Sequence, residues 1–343
     1  MRLAKLLATC LPVLLLAASL PAHAQSTWEV SKTLPIDGEG SWDYLTVDPQ
    51  THRLFVPRTT HTLVIDAASG KTLGDIPGQK SAHGVAIAPK LNRGFISDGG
   101  GEGAIIIFDL KTYAVLGKIA AQPDADGIIY DPNLNRVLVV SGDNGVLMSF
   151  KPDIDATTGK LETPIPLGGK PEFLATDDKG KVYINLVDKN QVAVVDFKAA
   201  KVIANWSVAP GGAPVGMSID PKTHRLFIGC RKPAKLIVMS ADDGKAIAAL
   251  PIGEGVDATT FNDGQAFAST RDGALAVAAE KTPGIFEIVQ VVKTSIGART
   301  MGLDPTTHTI YLPTAQFEEA KPGARPAMKP GTFMIVVVAP HAP

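Results

Sequence analysis

Cysteine is almost missing from the chain: two residues in 343, Cys10 and Cys230. With Cys10 in a leader expected to be removed, Cys230 alone cannot form an internal disulfide, so the fold must be held by its core. Charge of one sign is missing too. The formal net charge is −1, which argues against the concentrated basic surface that nucleic acid or an anionic membrane favours. Aromatics reach only 6%, and no apolar run after the N-terminus is long enough to cross a bilayer. A Gly-x-Ser-x-Gly nucleophile turn is absent, as is a c-type haem attachment motif. What is plentiful is glycine (33) and proline (26), in a chain that is 45% apolar and 20% charged. That is a globular composition rich in turns and short strands.

The first residues read as a secretory signal peptide over 1–24. Arg2 and Lys5 give a short basic region, residues 6–20 an apolar run, and Ala22-His23-Ala24 a small-x-small cleavage site. The run is too short for a spanning helix. Thr9 before Cys10 is a poor fit to a lipoprotein signal. Cleavage after Ala24 leaves 31 Lys+Arg against 34 Asp+Glu, a net charge of −3. Export to the periplasm or medium is therefore expected, with one domain over 25–343.

An internal repeat dominates the rest. Leu45-Thr46-Val47-Asp48-Pro49 precedes Thr51-His52-Arg53-Leu54-Phe55-Val56, and the phrase returns at Met217-Ser218-Ile219-Asp220-Pro221 with Thr223-His224-Arg225-Leu226-Phe227-Ile228. A third copy is Gly302-Leu303-Asp304-Pro305 with Thr307-His308-Thr309-Ile310-Tyr311-Leu312. Weaker copies place anchors at positions 48, 88, 131, 177, 220, 262 and 304, spaced 40 to 46 apart. Each unit reads as four short strands; in the first these are 44–48, 53–57, 62–66 and 72–76. Four antiparallel strands at this period predict an all-β, seven-bladed β-propeller. The last unit lacks a fourth strand, and Trp28-Glu29-Val30-Ser31-Lys32-Thr33-Leu34 reads as an orphan one, expected to complete blade seven and remove two sheet edges. Two insertions stand out, at 151–159 and 314–331; the second is stiffened by Pro322, Pro326 and Pro330.

The unit resembles the YVTN repeat of YncE-like exported bacterial β-propellers. The residues carrying the likeness are His83-Gly84-Val85-Ala86-Ile87-Ala88-Pro89, Val64-Ile65-Asp66-Ala67-Ala68-Ser69-Gly70-Lys71, and the third-strand phrases Val194-Val195-Asp196 and Ile106-Ile107-Phe108-Asp109. The resemblance spans nearly all of the mature chain and implies a periplasmic or secreted propeller. The recurring Trp-Asp phrase of WD repeats is absent.

Counting back five residues from each anchor gives Asp43, His83, Asp126, Glu172, Val215, Asp257 and Arg299. Six of these seven ionise, and in a propeller the position begins the innermost strand, at one mouth of the central channel. Loops after the second strands open on the same face and bring Arg58, His61, Asp98, Asp143, Asn144, Asn185, Arg231 and Arg271. A ligand site on the axis is expected, with Asp43, His83, Asp126, Glu172, Asp257, Arg299, Arg58, Arg231 and Arg271 as its candidates. Crowded carboxylates raise one another's pKa or require a cation, so Asp43, Asp126, Glu172 and Asp257 are candidate ligands for a divalent metal ion. Arg299 suits an acidic group of a ligand, and His83 is the best candidate for proton transfer.

Three functions fit this pattern. The first is a binding protein for a small molecule or ion at the channel mouth. The second is a metal-assisted hydrolase or lactonase-like enzyme using the same ring. The third is a protein-interaction scaffold docking through 314–331. A polar rim wetted by channel water is the structural alternative. His52, His224 and His308 share one repeat position and read as turn residues. Gly99-Gly100-Gly101 and Gly211-Gly212 precede no helix, which argues against phosphate binding. Cys230 reads as a small strand residue.

Overall fold

The computed structural model describes residues 27–319 and 326–341; the expected leader, with Cys10, lies outside the described residues, as do residues 320–325 of the long insertion. No α-helix occurs among the described residues, and no helix is long and apolar enough to cross a membrane. Among the described residues the strands form six hydrogen-bonded antiparallel sheets, five of four strands and one of seven. The larger sheet is two repeat units joined through one 17-residue strand, Thr72–Ala88. Its first half pairs with the unit before (Leu63↔Asp75) and its second half with the unit after (Val85↔Ile96).

Burial follows position within each unit. Middle strands such as Ala104–Asp109 and Gln191–Asp196 are packed on both faces and are continuous apolar runs. Outer strands such as Lys201–Ser207 alternate exposed and half-buried residues, as one covered face requires. The core lies between sheets: Phe95, Ile105 and Ile107 of one unit pack on Val137, Val139 and Phe150 of the next. Each such side chain stabilises by about 1.5–3 kcal/mol.

The Asp-Pro-x-Thr-His phrase is a turn with its own hydrogen bonds. Asp48 accepts from the Gln50 N–H (3.0 Å) and the Thr51 hydroxyl (2.6 Å); Asp220 accepts from the Lys222 N–H (3.0 Å) and the Thr223 hydroxyl (2.5 Å). His52, His224 and His308 then sit at φ of 51°, 53° and 53°, closing the turn in the left-handed region. Their rings make local or neighbouring contacts, to Asp304, Asp242 and Asn262 respectively. The first of these joins the first unit to the last.

The N-terminal strand Thr27–Pro35 is the outermost strand of the last sheet, paired antiparallel with Met334–His341. Trp28 also ties it to the adjacent unit. Its indole N–H donates to Gln265 Oε1 (2.8 Å), and its backbone exchanges two bonds with the Gln290 side chain. Inward from these outer strands, the first strands of neighbouring units touch from the first unit through to the sixth, and Thr46–Asp48 of the first unit touches Gly302–Asp304 of the last. These inner strands carry the site.

Candidate functional site

The inner strands are irregular at one shared place. Register shifts fall between Ala82 and Val85, Pro171 and Leu174, Pro214 and Met217, and Val256 and Ala258, with a fifth between Val139 and Ser141 opposite Ala125–Ile128. These bulges bracket His83, Glu172, Val215, Asp257 and Asp126. A bulge bends its strand and re-aims a side chain, so the ring position owes its direction to five separate bulges. Glycines beside the ring let the inner strands approach: a Cβ on Gly127 would lie 2.7 Å from the Glu172 carbonyl, and one on Gly216 would lie 2.7 Å from the Thr259 amide.

On one side of the mouth His83 stands between two acids. Its Nδ1 lies 2.8 Å from Asp43 Oδ2 and 3.5 Å from Asp126 Oδ1. Burial opposes a charge on this ring, but the hydrogen bond to Asp43 and the charges of Asp126, Asp43 and Asp124 outweigh it and hold the imidazolium up to about 9. Burial also drives the Asp126 carboxyl well above the ordinary range, against the pull of His83. The ligand atoms of Asp43, His83 and Asp126 all lie within 4.8 Å of one another.

On the other side the signs are exchanged. Asp257 stands between Arg231, whose Nη2 donates to Oδ1, and Arg299, whose Nε donates to Oδ2. Burial pushes the Asp257 carboxyl up, and the two guanidiniums pull against it. Glu172 lies at the edge of this group, 3.9 Å from Arg231; burial raises it to about 7 despite that cation.

Between the two groups lies Tyr44, which the sequence reading passed over. Its hydroxyl donates to the Asp257 carbonyl at 3.2 Å, and its ring sits 4.6 Å from that of Phe173, three units away. Burial and the charges of Asp257, Glu172, Asp43 and Asp126 raise the phenol well above its ordinary pKa. The signal was one column along in the same alignment. The residues following the ring are Tyr44, Gly84, Gly127, Phe173, Gly216, Ala258 and Thr300. Five are small, and the two aromatics meet ring to ring, with Phe173 3.2 Å from where a Cβ on Gly127 would stand.

Arg58 is a correction. It is fully buried, donates from Nε and Nη2 to the carbonyls of Gly38 and Gly40, and lies 3.7 Å from the Phe333 ring; desolvation lowers it to about 10. The reason is strand alternation. Superposing second strands puts Arg58 in register with Asp98, Ser141, Leu186, Cys230, Thr270 and Thr314, every one of them 0–1% exposed. Arg231 and Arg271 stand one residue later, on the other face. Asn185 is also buried, donating to the carbonyls of Val215 (2.8 Å) and Gly216, and Asp98 accepts from the Lys80 and Ser81 amides. Cys230 is buried and its thiol is pushed up to about 12, which fits a strand residue. The four expected metal ligands divide likewise: Asp43 and Asp126 gather at His83, whereas Glu172 and Asp257 face Arg231. The described part of the 314–331 insertion turns inward, with Phe317 bridged to Met328 and its ring 6.1 Å from Trp42.

No family model matches this chain, and no curated protein matches it. Solved structures do. A chain of the hydrazine synthase of Kuenenia stuttgartiensis aligns with a TM-score of 0.68 at 12% identity, covering 86% of this chain and 95% of that one. A chain from a mitotic checkpoint complex aligns with a TM-score of 0.75 at 12% identity, covering 99% of both. Likeness at this identity concerns the fold alone: the protein is a β-propeller built from repeated four-stranded antiparallel units.

Proposed function

We propose that this chain is an exported, seven-bladed β-propeller of the YVTN, YncE-like type, and that it binds a small molecule at the mouth of its central channel. The leader over 1–24 motivates export, and the seven anchors motivate the blade count. The observation that carries the binding reading is the pair of charge-inverted groups, Asp43–His83–Asp126 and Arg231–Asp257–Arg299, beside the Tyr44–Phe173 ring pair. A ligand there meets guanidinium donors on one side and, on the other, the carboxyl oxygens of Asp43 and of Asp126, the latter raised well above its ordinary pKa by burial.

The proximity of Asp43, His83 and Asp126 favours a second reading, a divalent cation serving hydrolysis. A metal there must displace the His83 proton, so uptake would rise with pH toward 9. Native mass spectrometry and elemental analysis of the mature protein from its own compartment, beside D126N/E172Q, test both. A co-purifying small molecule lost in the variant supports binding. A stoichiometric divalent metal lost in the variant favours the enzyme. Neither species, with no thermal shift from a panel of small acids, sugars and cations, sinks the site.

A further inference from the structure

We infer that the mouth takes an organic amine, its ammonium group held between the carboxyls of Asp126 and Glu172. This rests on the mouth being a binding site and names what it takes. Two of the four ring carboxyls already have donors. Asp43 lies 2.8 Å from His83 Nδ1, and Asp257 accepts from Arg231 and Arg299. The other two, on the neighbouring third and fourth units, have none. Each has a cation near it whose N–H groups are directed elsewhere.

His83 is the cation beside Asp126. Its Nδ1 faces Asp43 and its Nε2 lies 3.2 Å from the Ser81 hydroxyl, so the 3.5 Å approach to Asp126 is an ion pair without a hydrogen bond of its own. Asp126 Oδ1 is accordingly buried with no hydrogen-bond partner among the described residues. Arg231 is the cation beside Glu172. Its Nε donates to the Val256 carbonyl at 3.0 Å and its Nη2 to Asp257, while Nη1 stands 3.9 Å from Glu172, beyond hydrogen-bond reach. Tyr44 serves neither acid, because its hydroxyl donates to the Asp257 carbonyl. The Asp126 and Glu172 side chains keep 15% and 19% of their surface open, so a ligand at the mouth can meet both. They are close through their strands, since a Cβ on Gly127 would lie 2.7 Å from the Glu172 carbonyl.

Charge selects the class of donor. Across the two groups and Glu172, the carboxyls of Asp43, Asp126, Glu172 and Asp257 outnumber the cations His83, Arg231 and Arg299 by one. A sugar hydroxyl would donate a hydrogen bond and leave that charge unbalanced. A divalent metal at Asp43, His83 and Asp126 would leave out Glu172 and would need the His83 nitrogen that Asp43 holds. An ammonium brings one charge and several N–H donors, and it leaves every existing pair in place.

Isothermal titration of the mature chain with butylamine and with 1,4-diaminobutane, in phosphate buffer, tests this. Butan-1-ol keeps a donor without the charge, and tetramethylammonium keeps the charge without an N–H. At least one amine is expected to bind saturably at one site, about tenfold or more tighter than either control. E172Q, which removes no hydrogen bond found among the described residues, and D126N are each expected to weaken it about tenfold, with urea unfolding showing both variants folded. No saturable binding of either amine overturns the inference. So does equal affinity for the amine and either control, or amine affinity unmoved by E172Q. If D126N/E172Q loses a co-purifying molecule that carries no amine, the mouth reading stands and this inference falls.

Discussion

The two halves of the mouth use one backbone position to opposite ends. In one a cation is flanked by two carboxylates, Asp43–His83–Asp126; in the other a carboxylate is flanked by two guanidiniums, Arg231–Asp257–Arg299. Each half neutralises much of its own charge, so a ring with six ionisable positions sits in a chain of nearly zero net charge. The halves differ in what can change. Guanidiniums stay charged throughout the biological range, so the arginine half is a fixed clamp. The histidine half changes with pH, because its central cation is an imidazolium.

Breaking the clamp gives the largest expected effect. Asp257 has a side chain only 7% exposed, and its removal leaves two guanidiniums without their shared acceptor. Those guanidiniums are 34% and 20% exposed, so water softens the loss. Urea unfolding of D257A is expected to show a loss of about 3 kcal/mol, the low end for an opened buried pair. D43N should cost about 1 kcal/mol, since His83 can release its proton. Equal losses would break the comparison.

An effect of comparable size, spread along the pH scale, sharpens it. His83 keeps its proton to about 9 when folded, against 6.5 unfolded. Its stabilisation is therefore complete below pH 6.5 and is lost as pH rises through about 9, by about 3 kcal/mol. Glu172, raised to about 7 from 4.5, acts in the same direction at lower pH: its contribution is lost as pH rises from 4.5 through 7. In denaturant titrations H83Q should flatten the upper slope and E172Q the lower one. A slope between 6.5 and 9 that survives H83Q would assign the titration to another group.

The strands and the ring were legible in the sequence because both repeat. A repeated unit averages out local noise, and the five-residue offset reached a bulged position in five of the units without any coordinates. Depth was not legible. Arg58 and Arg231 both stand where a second strand ends, yet one residue of register separates a buried position from one facing the mouth. Tyr44 and Phe173 escaped because their meeting crosses the axis between units one and four, a distance that alignment within a unit does not measure. The partition of the carboxylates escaped for the same reason: a column gives membership of the ring, and only geometry gives which cation each acid meets.

The smallest expected effect concerns an acid–imidazole pair at the far end of the first inner strand. His52 Nδ1 lies 2.6 Å from Asp304 Oδ2, closer than the 2.8 Å between His83 and Asp43, and it links the first unit to the last. The His52 side chain, however, is 49% exposed against 22% for His83, and it meets one acid where His83 meets two. Solvent screening then dominates, and H52N, which keeps the left-handed turn that asparagine tolerates, should cost less than about 1 kcal/mol. Asp304 stays bonded to the Thr306 amide and hydroxyl whatever happens to the imidazole, so the turn survives the substitution. In urea unfolding at a single pH, H52N should cost less than H83Q. If instead H52N cost as much, hydrogen-bond length rather than burial and the number of facing carboxylates would govern these histidines, and the two halves of the mouth would differ for a reason other than the one given by their geometry.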